Sequence, residues 1–114
     1  MDFKEYERIS ERTAPKNNML DVDLVIGAMG LCGEAGEVSE VIKKIVFHGH
    51  KMDALKIADA LKIADELGDV LWYMAHIART IEISLETIAE MNIQKLEKRY
   101  PDGFSTEKSI NREE

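Results

Sequence analysis

The sequence predicts an all-α protein, an antiparallel helix bundle, on three observations. Apolar residues recur at helical spacing through three long segments. No segment shows the alternation of period two that marks a strand. The two prolines, Pro15 and Pro101, fall where the helical pattern stops. The 114 residues suffice for one domain, with a core over about 20–105, a short helix before it and a polar tail at 105–114.

Phe3, Tyr6 and Ile9 share one helical face, so residues 2–13 read as a short amphipathic helix ended by Pro15 and Lys16-Asn17-Asn18. Asp21 or Asp23 can cap the next helix. Its seam, Leu24, Ala28, Leu31, Ala35, Val38, Ile42 and Ile45, steps by four and three and carries it to about residue 48, where Gly49 can cap it. Gly27, Gly30, Gly33 and Gly36 lie inside this helix, each at a cost of roughly 1 kcal/mol against alanine. Close approach of another helix or a ligand is the expected compensation.

Asp53 can cap a third helix with the seam Ile57, Leu61, Ala64, Gly68, Leu71, Ala75 and Ala78. Residues 53–58 and 59–64 both read Asp-Ala-Leu-Lys-Ile-Ala, a local duplication that lengthens the start of this helix. Thr80 to Ile83 form the connection and Ser84 is a good N-cap. The fourth helix carries Leu85, Ala89 and Leu96 and ends at Tyr100-Pro101-Asp102-Gly103. Helices of about 25 residues are nearly 40 Å long. One small domain cannot cover them on all sides, so oligomerisation is expected to complete the bundle.

Composition narrows the function classes. With 22 acidic and 15 basic side chains the net charge is −7, which disfavours nonspecific binding to nucleic-acid phosphates. The single cysteine, Cys32, has no partner for an intrachain disulfide, and no apolar run approaches ~18 residues. A cytoplasmic protein with no membrane partner is the expectation. No P-loop motif is present, and no histidine has an acid three positions before it, as a di-iron bundle would require. His48 and His50 flank a glycine, and two ligands rarely make a metal site.

The acids point to a chemistry. Gly33-Glu34-Ala35-Gly36-Glu37 and Asp65-Glu66-Leu67-Gly68-Asp69 each hold two carboxylates three residues apart, about 5–6 Å between Cβ atoms on a helix. Such pairs are ordinarily a solvated face. Here Glu34 and Glu37 stand among small residues, and Glu66 and Asp69 abut Val70-Leu71-Trp72-Tyr73-Met74. If the two helices run antiparallel, the pairs can face each other. Like charges ~4 Å apart repel by roughly 4 kcal/mol at an effective dielectric near 20, so four acids call for a cation or a proton. Carboxylate oxygens suit Mg²⁺ or Mn²⁺, which binds with phosphate substrates and activates water. On the last helix Asn92 takes a place in the apolar stripe, and Lys95 and Arg99 follow along the same side, a set that can clamp phosphate.

Gly-Glu-Ala-Gly-Glu-Val (33–38), Glu-Leu-Gly-Asp-Val-Leu-Trp-Tyr (66–73) and Asn-Ile-Gln-Lys-Leu-Glu-Lys-Arg-Tyr-Pro-Asp-Gly-Phe (92–104) together resemble the MazG-like branch of the all-α NTP pyrophosphohydrolases. The resemblance covers about residues 20–105. It implies Mg²⁺ ligation by Glu34, Glu37, Glu66 and Asp69, substrate contacts from Asn92, Lys95 and Tyr73, and cleavage of a nucleoside triphosphate to the monophosphate and pyrophosphate. It also implies a homodimer or a tetramer built from dimers. The general base is left open between Glu37 and Glu40, should not every acid be a ligand. A specialised dCTP or dUTP pyrophosphatase, or a phosphoribosyl-ATP pyrophosphohydrolase, is the alternative within this chemistry. A non-catalytic helical interaction module is the alternative outside it.

Overall fold

A computed structural model describes residues 1–48 and 55–111. Among them are five α-helices, α1 (Phe3–Ser10), α2 (Leu20–His48), α3 (Ile57–Ile81), α4 (Leu85–Arg99) and α5 (Thr106–Ile110), and no strand. The expected caps at Gly49 and Asp53 lie outside the described residues. No helix among those described is long and apolar enough to cross a membrane.

The Asp2 carboxylate opens α1 by accepting the Glu5 N–H at 2.8 Å, and a single 3₁₀ turn, Glu11–Thr13, closes it. α2 begins earlier than expected. Asp21 and Asp23 stand within its first turn, where acids favour the positive end of the helix dipole, and neither is the cap residue. Asn17 orders the approach instead, accepting the Met19 N–H and donating to the Asp23 carboxylate, both at 3.0 Å.

α2 and α3 form an antiparallel pair whose register can be read from its glycines. A Cβ at Gly27 would lie 2.5 Å from Ile77 Cγ1, and one at Gly30 would overlap the Tyr73 ring. These two glycines therefore exist for close approach of α3, as the sequence led us to expect. Gly33, Gly36 and Gly68 face open space.

α1 and α4 cover only the last turns of α3. Arg79 Nη1 donates to the Glu7 carbonyl at 2.8 Å and to Ser10 Oγ at 2.9 Å, and the Glu7 carboxylate accepts the Leu85 N–H at 2.9 Å. Ala75, Ala78 and Leu85 are buried beneath them, flanked by Tyr6, Leu71 and Ile88. α3 runs two residues into the expected connection. Glu82 then takes a left-handed conformation (φ 58°) that turns the chain, and Ser84 caps α4 by accepting the Thr87 N–H at 3.1 Å.

The other half of the α2–α3 arm is bare. Ile57 and Leu61, expected in the seam of α3, are 80% and 65% exposed, and Val46 and Phe47 at the far end of α2 are 47% and 78% exposed. Ala89, Asn92 and Leu96 on α4 are exposed too, so Asn92 is not the buried amide its place in the stripe implied. The cause is geometric: among the described residues nothing packs on that stripe. The radius of gyration is 17.5 Å, against about 13 Å for a compact domain of this size. Within the polar tail, Ser105 caps the short α5 by accepting the Lys108 N–H.

Candidate functional site

The α2–α3 register assembles the acids. Gly27 meets Ile77 and Gly30 meets Tyr73, and one further turn along α2 places Glu34 against Asp69 and Glu66. These three carboxylates can each offer an oxygen within 4.8 Å of the others. Glu34 and Glu66 are half-buried and Asp69 is exposed. Glu37 stands outside the trio but acts on it. The Glu66 carboxyl is raised above its ordinary range, first by desolvation and then by the negative charges of Asp69, Glu37, Glu34 and Asp65. Crowding of this kind favours a proton or a cation.

Glu34 and Asp69 also line a cleft of about 290 Å³ with Thr13, Trp72 and Tyr73. Its aromatic wall is held from several sides. Trp72 Nε1 donates to Thr13 Oγ1 at 2.8 Å, bringing the 3₁₀ turn after α1 onto α3. The indole packs edge-on against Tyr73, with ring centroids 4.9 Å apart, and stacks on His76 at 5.7 Å. His76 is buried, with Nε2 3.1 Å from the Asp23 carbonyl, so it serves packing, as its place within the helix indicated.

The basic and amide residues lie elsewhere. Asn92 and Lys95 are exposed on α4, and neither lines the acidic cleft. Arg99 lines a separate hollow of about 220 Å³ with Lys98, Lys108 and Asn111. Glu40, an expected candidate base, pairs with Lys43 at 3.3 Å and Lys44 at 3.7 Å, which hold its carboxyl below the usual range. Glu37 has no ion pair among the described residues.

Residues 28–104 match the MazG nucleotide pyrophosphohydrolase domain. The chain belongs to this family. Its MazG domain includes both acidic pairs, Tyr73 and the start of the α4 motif at Asn92. The chain is also similar to the gene 37 protein of Mycobacterium phage L5, 34% identical over 102 residues that cover 86% of this chain and 88% of that protein. No solved structure matches it. Thr13 precedes the MazG match and was not foreseen as a site residue. Nothing local distinguishes it, because its partner Trp72 is 59 positions away.

Proposed function

We propose that this MazG domain hydrolyses a nucleoside triphosphate between the α and β phosphates, releasing the monophosphate and pyrophosphate with the help of Mg²⁺ or Mn²⁺. The observation that carries the reading is the convergence of Glu34, Glu66 and Asp69, with the Glu66 carboxyl pushed up by its neighbours. Three hard oxygen donors on rigid helices fit a divalent cation that shares its remaining positions with phosphate oxygens and water. Such a cation supplies Lewis acidity toward a phosphoryl oxygen and makes a water molecule a stronger acid.

The chain's own groups divide the remaining work. Glu34, Glu66 and Asp69 hold the cation, with Glu37 completing the acidic set. Glu37 is also the acid best placed to accept a proton from water, since Glu40 is engaged by its lysines. Trp72 and Tyr73 form a wall that can seat the nucleoside and keep bulk water from the phosphates.

Asn92 and Lys95 reach the triphosphate in this reading from a second copy, because neither lines the cleft of its own chain. A homodimer, or a tetramer of dimers, also gives the bare arm its cover. The cytoplasm, where nucleotides are abundant, is the proposed compartment.

The test is pyrophosphate release over the common and oxidised nucleotides, dCTP and dUTP included, with and without Mg²⁺. The wild type should turn over at least one of them with Mg²⁺ alone present. Glu34→Gln, Glu66→Gln and Asp69→Asn should each lower the rate by orders of magnitude, and non-additively. Full activity in all three variants would defeat the proposal.

A further inference from the structure

Beyond Trp72, on the side away from the carboxylates, the link between α1 and α2 closes over α3 and leaves a hollow of about 370 Å³. Lys16, Asn18, His76, Arg79 and Thr80 are among its lining residues. Arg79 is the unusual member. Its Nη2 is buried and has no hydrogen-bond partner, and Nη1 meets only the neutral Glu7 carbonyl and Ser10 Oγ. No carboxylate pairs with it among the described residues. A buried guanidinium nitrogen without an acceptor is costly until one approaches.

The anion's place follows from the two cavities that Arg79 borders. The first, of about 300 Å³, sets Glu7, Glu11 and Glu82 against Arg8 and Arg79, an acidic excess that disfavours anions. The second is the hollow just described. It adds Lys16, which has no ion pair among the described residues, and the Asn18 amide. Two acids, Asp23 and Glu11, also line it. The Asp23 carboxylate already accepts from Asn17 at 3.0 Å and lies 4.0 Å from His76 Nε2, and Glu11 is exposed.

We propose that this hollow is a second, metal-independent binding site for a phosphate-type oxyanion, held by Arg79 and Lys16 with a hydrogen bond from the Asn18 side-chain amide. The site is distinct from the acidic cleft. Asp69 and Thr80 are eleven positions apart on α3, roughly 16 Å along the axis, so one phosphate cannot touch both. The proposal stands without the pyrophosphohydrolase reading, since it uses none of the four motif acids.

Trp72 is the only tryptophan, and it stacks on His76 at the edge of the hollow, so its fluorescence reports occupancy. The experiment titrates the full chain with inorganic phosphate and with pyrophosphate in EDTA, so that the carboxylates hold no cation. A saturable change is expected, with affinity tighter than about 1 mM for one of the two. Lys16→Gln and Asn18→Ala should each weaken it severalfold, and Arg79→Gln should abolish it. Glu66→Gln should leave it unchanged. Arg79 also braces α1, so circular dichroism must show that its variant folds. Lys16→Gln, which removes no bond seen within the chain, carries the test if it does not. The proposal is overturned by no saturation, by binding that survives Lys16→Gln and Asn18→Ala intact, or by binding lost in Glu66→Gln.

Discussion

Gly30→Ala adds one methyl group, and the structure says where it goes. The new Cβ would overlap Cδ1, Cε1 and Cζ of the Tyr73 ring, so the whole ring must move. Tyr73 is half-buried and rests edge-on against Trp72, which is itself tied to Thr13. Forcing a methyl into such a contact costs about 1–3 kcal/mol, and loss of the aromatic pair a further ~0.5–1.5 kcal/mol. Alanine returns about 1 kcal/mol through helix propensity. The net is a destabilisation of roughly 2 kcal/mol, or a fall of roughly 10 °C in melting temperature for a chain of this size. Differential scanning calorimetry measures it, with Gly33→Ala as the control, since that position faces open space and should not melt lower. In a Tyr73→Ala background the overlap is gone, and Gly30→Ala should become neutral or stabilising. If Gly30→Ala melts at or above the wild type with Tyr73 intact, the close-approach explanation of this glycine is wrong.

The acids and the bare arm yield two further expectations. A folded-state pKa raised above its unfolded value contributes stability that is full below the unfolded value and is lost as pH rises through the folded one. From the ordinary 4.5 upward, metal-free wild type should therefore lose melting temperature relative to Glu66→Gln, and Mg²⁺ should reverse the difference. Parallel melting curves of the two proteins across that range would refute the crowding of Glu66. Gly36→Leu meets nothing among the described residues and should keep the fold, yet it should abolish the proposed dimer if a second copy covers that face. Light scattering that shows the variant and the wild type in the same oligomeric state would remove this face from the interface.

The helices were legible because their causes are local. Helical period, the Ser84 cap and the Tyr100-Pro101 stop depend on neighbours within a few positions, and the structure has them as read, although the apolar seams at Ile57, Leu61, Ala89 and Leu96 are exposed. Glu34 with Glu37 and Glu66 with Asp69 were legible on the same ground, since spacing by three sets two side chains side by side on any helix. Local rules misplaced the start of α2, because Asn17 and Met19 organise the approach before Asp21 is reached. They also buried Asn92 in a stripe that the chain does not cover.

What one acid pair meets on the other helix is a different matter. It depends on how far α2 slides along α3, and that slide is set by contacts between residues about 40 to 50 positions apart, Gly27 with Ile77 and Gly30 with Tyr73. Only packing could therefore draw Glu34, Glu66 and Asp69 into one cluster and leave Glu37 at its edge. The same holds for Thr13 on Trp72 and for the buried charge of Arg79, where each side chain is unremarkable in sequence and acquires its meaning from a distant neighbour. The sequence by itself determined the helices, the acid spacing and the family, because periodicity and motif are properties of short stretches. The tertiary structure alone decided which carboxylates converge, which glycines are closed and which open, and where a positive charge is left without a counterion, because those are properties of two surfaces brought together.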